Sequence, residues 1–263
     1  MRTPISLFLL LALGTPVQAE IQTKSIVYDD EGTTLTGHLF WDDAGTTQRP
    51  GVLVVHEWWG LNDYAKRRAR MLAELGYVAF AADMYGGERV TTDPKQASEW
   101  MQEVTADPES WHQRAEKGLD QLRSSPLVAS GKLAAVGYCF GGGTVLRMAY
   151  GGSDVAGVVS FHGSLPAAPE EAKGRIGPKI LVLHGQADSF VAPEVVANFQ
   201  TKLEATEANW EMDIYGGARH GFTNPKVGDY GLGNLKYDAQ ADARSWKRMQ
   251  SFLDELFADR DRR

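Results

Sequence analysis

The chain has 263 residues, of which 43% are hydrophobic and 23% are charged, as is typical of a folded globular protein rather than a disordered or fibrous one. Its net charge of −7, without a basic stripe, makes nucleic acid an unexpected partner. The length suits one large α/β domain or two small ones.

The first 19 residues have the features of a cleavable secretory signal peptide. Arg2 supplies a positive start, and the apolar run Ile5–Leu13 is too short to span a bilayer. Small residues at Val17–Ala19 suit a signal peptidase. A buried amphipathic helix is the alternative, but no polar face interrupts the run. We expect residues 1–19 to be removed and residues 20–263 to form a single exported domain, periplasmic or secreted, without a membrane span.

The rest of the chain alternates between predicted strands and helices. Two strands, Ile21–Tyr28 and Thr34–Trp41, flank a turn and predict a hairpin. Further strands are predicted at Gly51–Val55, Tyr77–Ala82, Leu133–Tyr138, Val155–Phe161, Lys179–His184 and Trp210–Tyr215. Helices are predicted at Asn62–Leu75, Pro94–Val104, Pro108–Leu122, Gly142–Tyr150, Pro193–Glu204 and Tyr237–Leu256. The alternation predicts a mainly parallel sheet with helices on both faces and an antiparallel hairpin at one edge. Ligands of such sheets bind beyond the carboxyl ends of the strands.

The most specific motif is Gly-Tyr-Cys-Phe-Gly-Gly-Gly at residues 137–143, which contains the single cysteine of the chain, Cys139. A predicted buried strand leads into this turn and a predicted helix follows. Such a turn holds a nucleophile in a strained conformation, and its glycines avoid collisions that larger residues would cause. The alternative, a glycine-rich phosphate turn, fits neither known phosphate-binding pattern. The motif therefore predicts that Cys139 is a nucleophile and that the N–H of Phe140 can face an oxyanion.

A cysteine nucleophile needs a base, and the base needs an orienting group. Asp188 lies in the loop after the strand Lys179–His184, and His220 follows the strand Trp210–Tyr215. Nucleophile, acid and histidine occur in this chain order in α/β-hydrolases. Order and topology thus agree on Cys139, Asp188 and His220, and the predicted fold is that of an α/β-hydrolase.

The other histidines have weaker chemical contexts. His184 ends a strand and is interpreted as structural, whereas His162 is a candidate for the substrate pocket. His56 adjoins the Glu57 loop and can support it. His38 and His112 are interpreted as surface residues. No group of residues has the spacing of metal ligands, so no metal is predicted.

The loop after the first buried strand completes the predicted site. It has the sequence His-Glu-Trp-Trp-Gly at residues 56–60, and in this fold it supplies the second N–H of the oxyanion hole. Glu57 is placed where a carboxylate can reach Cys139. A surface or helix-start acid is the alternative interpretation of Glu57.

These motifs together resemble the dienelactone hydrolases (carboxymethylenebutenolidases). The resemblance is carried by Glu57, the Cys139 turn, His-Gly-Gln-Ala-Asp at 184–188, Ala-Arg-His-Gly-Phe at 218–222 and Asp-Met-Tyr-Gly at 83–86. It covers nearly all of the chain after residue 19. It implies an α/β-hydrolase fold, no cofactor, and hydrolysis of a cyclic enol ester. It also implies that Glu57 contacts a neutral resting thiol and helps to generate the thiolate when substrate arrives. By the same resemblance, His220 acts as acid and base, Asp188 holds its imidazole, and the N–H groups of Trp58 and Phe140 stabilise the oxyanion.

Two departures from that family leave the substrate open. The family holds a substrate carboxylate with two arginines, one of them four residues after the histidine, where this chain has Asn224. The second has no clear match in Pro94–Val104, and Arg89 and Arg219 do not stand at the family positions. Aromatic side chains can line the pocket instead; the candidates are Trp58, Trp59, Tyr85, Phe190 and Phe222.

The sequence supports one leading function and two alternatives. The leading one is hydrolysis of a small-molecule carboxylic ester or lactone through an acyl-enzyme on Cys139. A thioesterase or acyltransferase on the same scaffold is the first alternative, because a thiol nucleophile also suits those reactions. A non-catalytic binding protein on a degenerate hydrolase scaffold is the second. The oligomeric state is left open.

Overall fold

The computed structural model describes residues 20–44 and 47–260, and within them the chain forms eight β-strands and six α-helices. The strands are β1 (Ile21–Asp30), β2 (Thr33–Asp42), β3 (Arg49–Val55), β4 (Val78–Ala82), β5 (Val128–Tyr138), β6 (Gly157–Phe161), β7 (Lys179–Gly185) and β8 (Trp210–Tyr215). The helices are α1 (Asp63–Glu74), α2 (Pro94–Thr105), α3 (Pro108–Arg123), α4 (Phe140–Tyr150), α5 (Pro193–Glu204) and α6 (Ala239–Arg260). The predicted signal peptide, residues 1–19, lies outside the described residues.

All eight strands belong to one sheet in the order β1-β2-β4-β3-β5-β6-β7-β8. The β1–β2 and β2–β4 pairs are antiparallel, and the other pairs are parallel. The predicted parallel sheet with an antiparallel edge hairpin is therefore confirmed. Because β3 and β5 to β8 run in the same direction, the loops after their carboxyl ends meet at one edge of the sheet.

Helices cover both faces of the sheet. Side chains of α3, α4 and α5 form one core with the strands, and those of α1 and α6 form a second core on the opposite face. Strand β3 contributes to both, since Leu53 and Val55 face one core and Val52 and Val54 face the other. This explains why its sequence is continuously apolar. Within the described residues, no helix is long and apolar enough to span a membrane.

The structure moves the start of α4 relative to the sequence prediction. The helix begins at Phe140, directly after Cys139, and not at Gly142. Glycine is a poor helix former, and three glycines in a row suggested that the turn would extend further. Here the glycines allow α4 to pack closely: a Cβ on Gly141 would lie 2.2 Å from the carbonyl oxygen of Val55. Tertiary packing thus overrides helix propensity at this position.

Candidate active site

Cys139 occupies the turn between β5 and α4 in a strained backbone conformation. Its φ and ψ angles are 55° and −113°, in a region that residues with side chains rarely adopt. Its N–H donates to the carbonyl of Phe161 on the neighbouring strand at 3.0 Å. A Cβ on Gly137 would lie 1.9 Å from the carbonyl oxygen of Gly141, so the turn requires glycine there. The sulfhydryl side chain is partly exposed and stands clear of the sheet.

Asp188 and His220 lie beside each other at the same edge of the sheet. Asp188 follows β7 and His220 follows β8, and His220 Nδ1 lies 2.8 Å from Asp188 Oδ2. Both side chains are buried, at 5% and 7% exposure. The second carboxylate oxygen of Asp188 accepts the N–H of Phe190 at 2.9 Å, which fixes the carboxylate plane. Only Nε2 of His220 is then left for a third group.

That third group is Cys139. Burial lowers the pKa of His220, but the electrostatic interaction with Cys139 and hydrogen bonds with Asp188 and Cys139 raise it, to about 10. The protonated form of His220 is therefore favoured between Asp188 and Cys139. The structure brings together the three residues that the sequence places on three separate loops.

Glu57 is buried on the other side of the His220 loop, at 3% exposure. Its Oε2 accepts a hydrogen bond from Asn224 Nδ2 at 2.8 Å. Burial raises the pKa of Glu57 to about 7, although the Asn224 hydrogen bond and the charges of His220 and Arg68 lower it. No hydrogen bond joins Glu57 to Cys139 among the residues that the structure describes. The hydrogen bond from Asn224 occupies one oxygen of Glu57, and the expected contact with the resting thiol, like thiol activation by Glu57, stays a prediction.

Two neighbouring side chains fix the loop that carries Glu57 and Trp58. His56 Nε2 accepts the N–H of Met84 at 3.2 Å, so its Nδ1 carries the proton and donates to the carbonyl of Glu57 at 2.5 Å. Tyr85 donates its hydroxyl to the carbonyl of Trp58 at 2.9 Å. The support predicted for His56 is thus present, and it comes with a defined tautomer.

The two predicted oxyanion donors lie at suitable places. Phe140 is the first residue of α4, so its N–H has no partner within the helix. Trp58 lies in the loop after β3, directly after Glu57. Their role as donors stays a prediction.

A buried hydrogen-bonded group, which we call the Arg68 cluster, lies beneath His220. It consists of Tyr64, Arg68, His162, Thr223 and Asp242. The hydroxyl of Thr223 lies 2.7 Å from His162 Nε2 and 2.5 Å from the Tyr64 hydroxyl. Arg68 donates to the carbonyl of Thr223 and, at 2.5 Å, to Asp242. Thr223 follows His220 by three residues, so this cluster anchors the loop that carries the histidine.

A cavity of about 350 Å³ opens above Cys139. Most of its lining is apolar and comes from Trp58, Met101, Trp111, Phe140, Phe190, Val191 and Leu235. The remaining lining residues are Cys139, His220, Thr105 and Ser164. Phe190 also packs against His220 with ring centroids 4.9 Å apart, and so shields the imidazole on the cavity side.

Four of the predicted pocket residues lie outside the lining of this cavity. Phe190 and Trp58 line the cavity, but Trp59, Tyr85, His162 and Phe222 are buried outside the lining. Trp59 stacks on Tyr230 at 4.0 Å. His162 and Phe222 lie beneath His220 and pack edge to face at 5.2 Å. Aromatic character indicates burial but not the side of the loop on which a ring lies.

Sequence reasoning missed several residues of the site. Arg68 had a signal, since it stands among Ala65, Ala69 and Leu72 on the apolar side of α1, where an arginine needs a buried partner. The sequence gives no signal that Met101, Thr105 and Leu235 belong to the site. Their segments reach the cavity through long-range packing that leaves no local pattern.

The single mostly parallel sheet and the strand-to-helix cysteine turn define the class as an α/β-hydrolase. The profile of the dienelactone hydrolase family matches residues 37–257, and the chain belongs to that family. It is accordingly a carboxylic-ester hydrolase.

Individual relatives agree with this assignment. A protein of Saccharolobus solfataricus named "putative carboxymethylenebutenolidase" is 28% identical over 88% of this chain and 97% of its own length. The solved structure of a dienelactone hydrolase-like promiscuous phosphotriesterase from metagenomic libraries is 39% identical, with a TM-score of 0.87 over 90% of this chain and 98% of its own. A dienelactone hydrolase structure from Klebsiella pneumoniae, at 20% identity and a TM-score of 0.70, shares the fold.

Proposed function

We propose that this hydrolase cleaves a small-molecule ester or lactone through an acyl-enzyme on Cys139, with His220 as acid and base and Asp188 as its orienting group. The observation that carries the proposal is the geometry of the three residues. Asp188 fixes Nδ1 of His220 at 2.8 Å and thereby leaves Nε2 to Cys139. Cys139 stands in the strained turn and is one of the residues that line the cavity, which supports its role as nucleophile.

The proposed reaction has two halves. The Cys139 thiolate attacks the carbonyl carbon, and the N–H groups of Phe140 and Trp58 stabilise the oxyanion. The C–O bond to the leaving alcohol then breaks, His220 gives that oxygen its proton, and an acyl-cysteine remains. In the second half, His220 takes a proton from water, the hydroxide attacks the thioester, and the carboxylic acid leaves as the thiolate re-forms. Asp188 holds the imidazole in its productive tautomer throughout.

The test uses 4-nitrophenyl acetate. Wild type is expected to show a burst of one nitrophenolate per chain, and Cys139→Ala to lose activity by about 10³-fold or more. Asp188→Asn, which keeps the shape but loses the charge, serves as the intermediate case. Full activity in Cys139→Ala would contradict the proposal. The expected burst requires hydrolysis of the acyl-cysteine to be slower than its formation, and turnover without a burst would reverse that order.

The same assay distinguishes hydrolysis from acyl transfer. With methanol added, a hydrolase releases mainly the free acid, whereas an acyltransferase forms mainly the methyl ester.

We also propose that the enzyme is exported and loses residues 1–19. N-terminal sequencing of the periplasmic or secreted protein tests this, and a mature chain that starts at Met1 would contradict it.

A further inference from the structure

The cavity above Cys139 lacks a cation that could hold a substrate carboxylate, among the residues that the structure describes. Of its lining residues, only Cys139 and His220 have ionisable side chains, and His220 is held by the carboxylate of Asp188 at 2.8 Å. Thr105 donates its hydroxyl to the carbonyl of Met101 at 2.9 Å, and Ser164 offers one further hydroxyl. The rest of the lining is aromatic or aliphatic.

Three arginines near the site do not belong to the cavity lining. Arg89 pairs with Glu103 at 3.2 Å. Arg219 donates to the carbonyl of Gly233 at 3.0 Å. Arg147 lies behind the lining, over the ring of Trp111 and 5.2 Å from its centroid, with its Nε buried and without a hydrogen-bond partner. The ring of Trp111 faces the cavity, and the guanidinium is not part of that surface.

Asn224, four residues after His220, does not replace a cation either. Its side chain is 1% exposed and donates to Glu57. Asn224 is outside the cavity lining. The amide is therefore committed to a buried carboxyl group, and a substrate cannot recruit it without leaving Glu57 without its hydrogen bond.

Building on the proposed function, we propose that this site hydrolyses uncharged esters with apolar acyl groups and rejects acyl groups that carry a carboxylate. An apolar acyl chain gains from contact with the aromatic and aliphatic lining. A carboxylate loses its hydration there and finds no opposite charge. Desolvation of an unpaired ion is costly enough to lower kcat/KM by about 100-fold or more.

Matched substrates test the charge directly. The neutral substrate is 4-nitrophenyl hexanoate, and the anionic one is mono-4-nitrophenyl adipate, which has a carboxylate in place of the terminal methyl group. Methyl 4-nitrophenyl adipate, with the carboxylate capped, controls for length and polarity. We expect wild type to prefer the hexanoate over the free adipate by about 100-fold or more, and to accept the capped adipate within about tenfold of the hexanoate.

A matched pair of variants then supplies the cation. Thr105 is half-buried at the end of α2 and lines the cavity, where a positive side chain also suits the helix C-terminus. Thr105→Arg is expected to lower the ratio of kcat/KM for hexanoate to kcat/KM for free adipate by about tenfold, because the new guanidinium can form an ion pair with the adipate carboxylate. Thr105→Met introduces a long side chain without a charge. It is expected to change kcat/KM for hexanoate and for free adipate by the same factor, so that their ratio stays as in wild type.

The outcomes distinguish failure of the charge selection from failure of the Cys139 mechanism on which it rests. Equal kcat/KM for hexanoate and free adipate in wild type would overturn the charge selection and leave the Cys139 mechanism standing. An unchanged preference in an active Thr105→Arg would also overturn it. Hydrolysis of all three esters at full rate by Cys139→Ala would overturn the proposed function, and this inference with it.

Discussion

His220 separates two regions of opposite character. On its cavity side the imidazole meets Phe190 and a mostly apolar lining. His162 lies on its buried side, with ring centroids 5.3 Å apart. His162 belongs to the Arg68 cluster, whose members are joined by hydrogen bonds and one ion pair. The polar groups that fix the histidine are thus hidden beneath it, and the surface offered to substrate is almost free of them. We infer that stability depends on the buried side and substrate choice on the cavity side.

The largest effect is expected when the positive charge of the Arg68 cluster is removed. This change tests whether the buried side of His220 stabilises the fold. Arg68→Met is expected to lower the free energy of unfolding by about 3 kcal/mol, because it leaves Asp242 without its partner and the Thr223 carbonyl without its donor. It also frees the His220 loop, so kcat should fall. Urea denaturation and steady-state kinetics measure both.

The control for Arg68 is Arg70→Met on the same helix. Arg70 is exposed, so this change should stay within about 0.5 kcal/mol. If the two variants unfold at the same urea concentration, the Arg68 cluster does not stabilise the fold in the way described.

A second test concerns the pH dependence that Glu57 imposes. Its pKa is about 7 in the folded chain, against an ordinary value of 4.5, so its neutral form is favoured by folding. The resulting stability is fully present below pH 4.5, declines as the pH rises from 4.5 to 7, and is absent above pH 7. The difference in unfolding free energy between wild type and Glu57→Gln should therefore fall by about 3 kcal/mol across that window.

Measurement of both chains at several pH values isolates Glu57, because all other groups are shared. The neutral amide of the variant still offers an oxygen to Asn224 and keeps the size of the side chain. A difference that stays constant from pH 4.5 to 7 would show that Glu57 ionises in the folded chain as it does in water.

The smallest expected effect comes from the cavity side. Phe190 is 47% exposed, so Phe190→Ala should cost less than about 1 kcal/mol of stability. Removing the ring opens His220 to water, and kcat/KM for an apolar ester should fall by about fivefold. Phe199→Ala provides the contrast, because Phe199 is fully buried and its loss should cost about 3–5 kcal/mol. Similar stability losses in the two variants would contradict the small contribution to stability that we expect from the cavity lining at Phe190.

The reacting groups that the sequence predicts each have two independent signals, and the structure places all three at one edge of the sheet. Cys139 stands in a strand-to-helix turn, and Asp188 and His220 follow strands in the chain order of the fold. The parallel sheet is likewise predicted by alternating apolar runs, since burial on both faces leaves a local pattern.

The environment of those groups is less predictable, for a physical reason. Trp59 and Tyr85 are aromatic residues near the site, yet Trp59 stacks on Tyr230 from a distant segment and Tyr85 supports Trp58 from below. Leu235 reaches the cavity from beyond the last strand. Which side of a loop a ring occupies depends on such long-range partners, and no local periodicity records them.

The single sulfhydryl group of the chain has a practical consequence. Because Cys139 is the one cysteine in the sequence and its side chain is partly exposed, a chromogenic thiol reagent can count accessible Cys139 groups directly, and under the proposed mechanism these are the competent active sites. Labelling that falls as an acylating ester accumulates on the sulfur would give the occupancy of the intermediate in real time. Because the chain has one cysteine, a single probe can be attached at a known position. Under the proposed mechanism, that probe would block turnover.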